Sequence, residues 1–201
     1  MATTYATAMT AVRNFLQETE TSGGFWTNIE ISDYINYSMM ELWNHWTNKP
    51  NDSNPWFVRH EIDNSTASGR TDLIFDTHIT DTNVGECAYV LDVFSDSDTP
   101  IARWKVLKTD AGAKKIKFEW GLPNEKVWVD AIHKPRQMTP VGTYTSGSVV
   151  NVPHGWGQWV VKRAIIYALQ KSGQDTRDLK AETDKMLQTL ANTKTEETQF
   201  L

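Results

Sequence analysis

The chain reads as an α+β protein. It has a four-helix core, made of an N-terminal helical hairpin and a C-terminal helix pair, with an inserted antiparallel β-lobe and a C-terminal tail. Three observations lead there. Apolar residues recur with helical spacing near both ends of the 201 residues. Between them the spacing changes to strand-like alternation broken by turn clusters. A capping signal, Trp26-Thr27-Asn28-Ile29-Glu30-Ile31, marks where one long helix must start.

The elements follow in order. Residues 4–18 form a first helix: Tyr5, Met9, Val12 and Leu16 fall on one face, and Phe15 widens it. Gly23-Gly24 makes the turn. Thr27 and Glu30 have capping-box spacing, and Trp26 and Ile31 occupy the two positions of a hydrophobic staple. The second helix then runs from Asn28 to Trp46 on Ile31, Tyr34, Ile35, Leu42, Trp43 and Trp46. The short connection makes the pair an antiparallel hairpin.

The stretch from Asn48 to Pro55 is turn-forming and marks a boundary. Strands are expected at Trp56–Ile62, Leu73–Phe75, Ala88–Phe94, Ile101–Leu107, Lys115–Trp120 and Lys126–His133. Ile116, Phe118 and Trp120 are expected to face inward, and Glu61, Asp92, Glu119 and Asp130 to be the exposed halves of alternating patterns. Val149-Val150-Asn151-Val152 reads as a last strand. A third helix is expected from Trp156 to Lys171 with Gly173 as its stop, and Asp175 is expected to cap a fourth with an apolar stripe at Leu179, Thr183, Met186, Leu187 and Leu190. The domain division is therefore a helical core at 1–50 and 151–192, a β-lobe at 56–150, and an extended tail at 193–201.

Composition narrows the function classes. Net charge is −5. Residues 1–55 carry two basic and six acidic side chains (−4), 56–150 eleven and thirteen (−2), and 151–201 seven and six (+1). None of these is the basic footprint of a nucleic-acid binder. No apolar run reaches the length of a membrane span, and Met1-Ala2-Thr3-Thr4-Tyr5 reads as no secretory signal. Cys87 is the single cysteine, so neither a disulfide framework nor a multi-cysteine zinc site is expected; it reads as a small strand-end residue. Nine tryptophans call for large contact surfaces, in cores or at interfaces.

Catalytic chemistry is hard to find. His45, His60, His78, His133 and His154 show no metal-pair spacing, and Glu41 with His45 reads as a surface pair on the long helix. Gly155-Trp156-Gly157 lacks the rest of a phosphate loop, and there is no nucleophile elbow. Ser95-Asp96-Ser97-Asp98 lacks the glycine and terminal glutamate of a calcium loop and reads as a solvated turn. The expectation is a binding or structural protein that is not an enzyme and holds no cofactor or metal.

The layout and its motifs resemble the head–tail connector (adaptor) proteins of tailed bacteriophages. The residues that carry the resemblance are Val12-Arg13-Asn14-Phe15-Leu16, then Phe25 to Ile31, then Tyr34-Ile35-Asn36 and Glu41-Leu42. Asn28 stands where the family usually has Asp. Trp159 to Leu169, followed by Gly173-Gln174-Asp175-Thr176, is similar to the family's closing helix pair. The likeness covers residues 5–46 and 156–192, and the β-lobe has no matching motif.

The resemblance implies a virion protein, made in the host cytoplasm, that forms a ring of commonly twelve copies at the head–tail junction. Its implied partners are the portal protein, downstream nozzle or tail-tube proteins, further copies of itself, and DNA that passes through the channel without sequence-specific binding; no membrane is involved. Thr193, Lys194, Thr195, Phe200 and Leu201 are then the expected portal-binding residues, and Trp104, Trp120 and Trp128 the expected subunit or tail contacts. The competing expectation is a carbohydrate-binding module that uses those three tryptophans as stacking platforms.

Overall fold

The long second helix starts where its capping signal places it. In the structure, a computed structural model, Glu30 N–H donates to Thr27 Oγ1 at 3.2 Å and Thr27 N–H donates to Glu30 Oε2 at 2.9 Å. The reciprocal bonds satisfy two amides that helix geometry leaves without partners. Trp26 and Ile31, the staple positions, are both buried. The structure describes residues 5–18, 24–46, 54, 56–66, 69–75, 77–79, 86–110, 112–135 and 156–197, with backbone alone at 5 and 190–197. Two compact units divide the chain: Met1–Asn48 with Pro135–Leu201, and Lys49–Lys134.

Among the described residues, the first unit holds four helices: α1 (Tyr5–Phe15), α2 (Asn28–Trp46), α3 (Gly157–Lys171) and α4 (Arg177–Glu197). α3 packs against the other three, as its broad apolar face requires. Val12, Ile31, Ile35, Met39, Leu42, Val160 and Ile166 fill the space between them. Trp46 and Trp156 meet edge to face, with ring centres 5.9 Å apart. Two buried indoles also find acceptors, Trp26 Nε1 on the Ala168 carbonyl at 3.1 Å and Trp159 Nε1 on the Thr183 carbonyl at 3.0 Å.

Both α1 and α3 end in the same 6→1, 5→2 pattern of carbonyl capping. Glu18 N–H reaches the Arg13 carbonyl and Gln17 N–H that of Asn14; Gln174 N–H reaches Leu169 and Gly173 N–H reaches Gln170. Gly173 adopts the required positive φ of 72°, and Gln17 does the same at 56°.

Four expectations change here. The first helix ends at Phe15, and Phe15 is 50% exposed instead of widening the buried face. Arg13, on the other flank of the same stripe, is buried. Glu41 does not pair with His45; it receives Arg163 Nε at 2.7 Å and the Tyr167 hydroxyl at 2.9 Å. Residues 193–197, expected as extended tail, continue α4 as helix to Glu197. The cap of α4 is as expected in kind: Asp175 Oδ1 accepts from the Arg177 amide at 3.0 Å.

Among the described residues, the second unit holds six strands in two three-stranded antiparallel sheets: β1 (Phe57–Asp63), β2 (Asp72–Ile74), β3 (Cys87–Ser95), β4 (Trp104–Lys108), β5 (Lys114–Phe118) and β6 (Lys126–His133). Their orders are β1–β6–β3 and β2–β5–β4. Both sheets give their inward residues to one core, Ile62, Val93, Val127 and Val129 from the first and Leu73, Ile116 and Phe118 from the second. β3 carries two irregularities in register against β6, which twist an edge strand locally. Cys87 lies buried at the start of β3, where its thiol donates to the Tyr89 carbonyl at 3.5 Å.

The expected inward face of the fifth strand stops at Phe118. β5 ends there, so Trp120 falls beyond the pleat and is 64% exposed. Asp130 is likewise not an exposed half: it is buried on β6 and held by Arg59. The strand expected at 149–152 and His154 lie outside the described residues.

Candidate interaction surfaces

Tryptophan was the residue most in need of sorting, and burial sorts it. Trp26, Trp43, Trp46, Trp56, Trp156 and Trp159 are buried. Trp104 is half-buried and packs against the lobe core. Trp128 is half-buried on the outer face of the first sheet, between Glu61 of β1 and Phe94 of β3. Trp120 alone of the three lobe tryptophans is exposed, at the end of β5, with the Arg103 guanidinium 4.6 Å from its ring centre. Trp104 therefore sits on β4, Trp128 on β6 of the other sheet and Trp120 beyond the end of β5, and the three form no common stacking face.

The outer face of β1–β6–β3 carries the densest polar constellation in the lobe. Arg59 makes a two-pronged contact with Asp130, at 2.7 and 2.9 Å. It also lies 5.1 Å from the Phe94 ring centre and 3.6 Å from Asp98. The Asp130 hydrogen bonds push the Arg59 pKa upward, so this cation stays charged. Lys126 is raised in the same way by its hydrogen bond to Glu61. Glu61, Asp63, Asp92, Asp96, Asp98 and Asp130 stand on or beside this face against Arg59 and Lys126, a balance of −4.

The outer face of β2–β5–β4 has the opposite sign. Lys105 and Lys117 sit directly opposite one another across the β4–β5 pair, and Lys115 lies one step along the same face. With Arg103, these outweigh Asp72 and Glu119, for a balance of +2. Sequence reading missed this because it summed charge over the whole lobe. Residues 103–118 alone hold six basic side chains and one acid, +5, inside a segment that nets −2. Summing by hairpin instead of by domain finds the feature.

A buried histidine pair was also missed. His60 Nε2 and His133 Nε2 are 2.8 Å apart, so one ring donates and the other accepts. The residues are 73 positions apart, and only the β1–β6 pairing brings them together. Among the described residues, no group of three or more His, Cys, Asp or Glu side chains could hold a metal ion.

In the helical unit, the polar groups neutralise one another. Arg163 binds Glu41 with both prongs and comes within 3.9 Å of Asp184, which joins α2, α3 and α4. Tyr34 and Tyr37 lie against Tyr167, whose hydroxyl donates to Glu41. Burial, then the Glu41 hydrogen bond, raises the Tyr167 pKa. Arg13 spans the hairpin: Nη2 donates to Asn28 Oδ1 at 2.6 Å and to the Trp26 carbonyl at 3.3 Å, and Glu18 lies 3.6 Å away. Glu18 in turn accepts the amides of Phe25 and Trp26, close enough that a Cβ on Gly24 would collide with its carboxylate.

Of the residues expected to bind the portal, Thr193, Lys194 and Thr195 lie on the helical backbone of α4, with side chains outside the described residues. Phe200 and Leu201 lie outside the described residues altogether. Among the described residues, no helix is long and apolar enough to cross a membrane. No protein-family model matches this chain, and no curated protein matches it either.

Proposed function

We propose that this chain is a structural subunit of a tailed-phage head–tail junction, an adaptor that forms a ring between the portal and the tail and lets DNA pass through its channel. One observation carries the reading. The motif residues behind the resemblance come together as a single structural device. Arg13 of the first motif bonds Asn28 and the Trp26 carbonyl of the second, and the Trp26 indole bonds Ala168 in the closing helix pair. Residues spread over the chain that converge on one hairpin act as a scaffold signature, and no reacting group stands among them.

The acidic balance outside the 103–118 hairpin, −10, suits a channel wall from which DNA is repelled. Virions, or portal rings mixed with the full chain, test the proposal. The expected result is one ring of this protein beneath each portal, seen by electron microscopy. Removing residues 193–201 is expected to abolish portal binding with little effect on folding, since among the described side chains of α4 the buried one is Thr183, well before the cut. Normal portal binding by the truncated chain refutes the docking role of the tail, and absence of the protein from virions refutes the adaptor reading.

The carbohydrate-binding alternative keeps one supporting feature, the exposed ring of Trp120. Saturable binding of an oligosaccharide that is lost in Trp120→Ala would favour it.

A further inference from the structure

The two outer faces of the lobe carry opposite charge, and they point away from a shared core. We infer that the Lys105–Lys117 face of one copy docks on the acidic Glu61–Asp96 face of the next copy, so that lobes associate head to tail around the ring. This rests on the ring reading above, and it names the surfaces that adjacent subunits use.

The basic face is not explained by the lobe itself. Lysines commonly guard edge strands against unwanted pairing. Lys115 and Lys117, however, lie on β5, the central strand of its sheet. Lys105 and Lys117 are directly opposed across β4 and β5, an arrangement that costs stability, and Asp72 of β2 stands opposite Lys117 on its other side. Neither forms an ion pair with an acid among the described residues, whereas Lys115 has Asp72 at 3.9 Å and Arg103 has Glu119 at 3.6 Å. Lys108 and Lys114 are engaged within the lobe, where they lower the Glu86 pKa after Lys134 has done so, and Lys114 also donates to the Ala88 carbonyl. The excess positive charge is thus concentrated at Lys105 and Lys117.

The acidic face offers the complement. Asp96 and Asp98 are exposed in the turn after β3, and Glu61 and Asp63 are exposed on β1; Lys126 engages Glu61 and Arg59 lies 3.6 Å from Asp98, and the six carboxylates of this face still outnumber those two cations by four. A polyanion is a poor occupant for the basic face, because the rest of the chain is −10 and repels it. Another copy carries the matching surface. A contact between two different faces leaves one of each free on every pair, so association continues, and it closes into a ring where the rotation between neighbours allows.

The test mixes full-length chain of natural isotope content with chain labelled with nitrogen-15 and joins amines to carboxylates with a zero-length carbodiimide. Links that contain both isotopes come from neighbouring copies. Expected are mixed links from Lys105 or Lys117 to Glu61, Asp63, Asp96 or Asp98, with a yield that falls about tenfold as exposed charge pairs are screened by 0.5 M salt. Lys105→Glu with Lys117→Glu removes these links, as does Glu61→Lys with Asp96→Lys, and mixing the two variants restores association. Mixed links confined to other surfaces, or no mixed links from wild-type chain, overturn the proposal even if a variant fails to fold. Failure of two folded variants to rescue each other overturns it too. No portal is present, so failure here with portal binding intact leaves an adaptor ring closed by its helices. Lobe association without portal binding removes the adaptor role and keeps the docking surface.

Discussion

The helical unit and the β-lobe differ in how fully they close their charges and cover their tryptophans. In the helical unit, Arg13, Glu41, Arg163 and Lys171 each have an acceptor or a counter-charge in reach, and Trp26, Trp46, Trp156 and Trp159 are buried. In the lobe, Arg59, Lys115, Lys126 and Lys134 also have carboxylate partners, but Lys105 and Lys117 oppose one another, carboxylates outnumber cations on the other sheet, and Trp120 stands in solvent. A surface that closes its polar contacts internally serves its own stability. A surface that leaves like charges together costs stability and presents a field to something else. The helices are the scaffold, and the lobe carries the surface chemistry.

The sharpest way to break this contrast is Trp159→Ala. The ring is 2% exposed and its Nε1 donates to the Thr183 carbonyl. The cavity and the lost bond are expected to cost about 3–5 kcal/mol in urea denaturation. A cost under ~1 kcal/mol would mean that the helical unit is loosely packed and that its tryptophans are not core.

Arg13→Met comes next. It removes a buried cation from Asn28, the Trp26 carbonyl and Glu18 and keeps much of the side-chain stem. The expected loss is about 2–4 kcal/mol, since the abandoned partners remain desolvated. A near-neutral result would place the hairpin's stability in its apolar contacts alone.

Thr27→Ala is expected to cost about 1 kcal/mol, through the cap that Glu30 N–H now finds on Oγ1. Glu30 adds a pH dependence. Its pKa is lowered, first by the Lys171 hydrogen bond and then by the Thr27 amide. A carboxylate whose folded pKa lies below the ordinary 4.5 stabilises the fold above that value and loses the contribution as pH falls through the lowered one. Glu30→Gln should therefore be destabilising at pH 7, and the difference from wild type should vanish on the acid side. An equal difference at both ends of the titration would assign the effect to shape instead of charge.

The two regions also differed in how much their sequences revealed. The start of α2, its capping box and its staple positions were legible because every partner lies within five residues. β6 was bounded correctly as Lys126–His133 for a similar reason, a run of β-formers between turn residues. What escaped was non-local. Arg13 sits on the flank of α1 away from Phe15, where periodicity alone assigns no buried residue, and its partners arrive only when the hairpin folds back. Glu41 was given the nearest polar residue, His45, although its partners lie 122 and 126 positions away. The sign of each lobe face depends on which strands pair, and strand order cannot be read from alternation.

Trp120→Ala is expected to have the smallest effect and completes the contrast with Trp159. The ring gives up an exposed contact with Arg103, and the backbone at 120 belongs to no strand. Such a contact is worth about 0.5–1 kcal/mol at most in water, and surface replacements mostly fall within ~0.5 kcal/mol. Denaturation should therefore barely distinguish Trp120→Ala from wild type. The same variant, measured for ring formation and for oligosaccharide binding, separates the uses of the exposed ring. Weakened association of copies or of tail components makes Trp120 part of a protein contact. Loss of a sugar affinity that wild type possesses makes it a stacking platform. A destabilisation as large as that of Trp159→Ala would refute the division of the nine tryptophans into scaffold and surface.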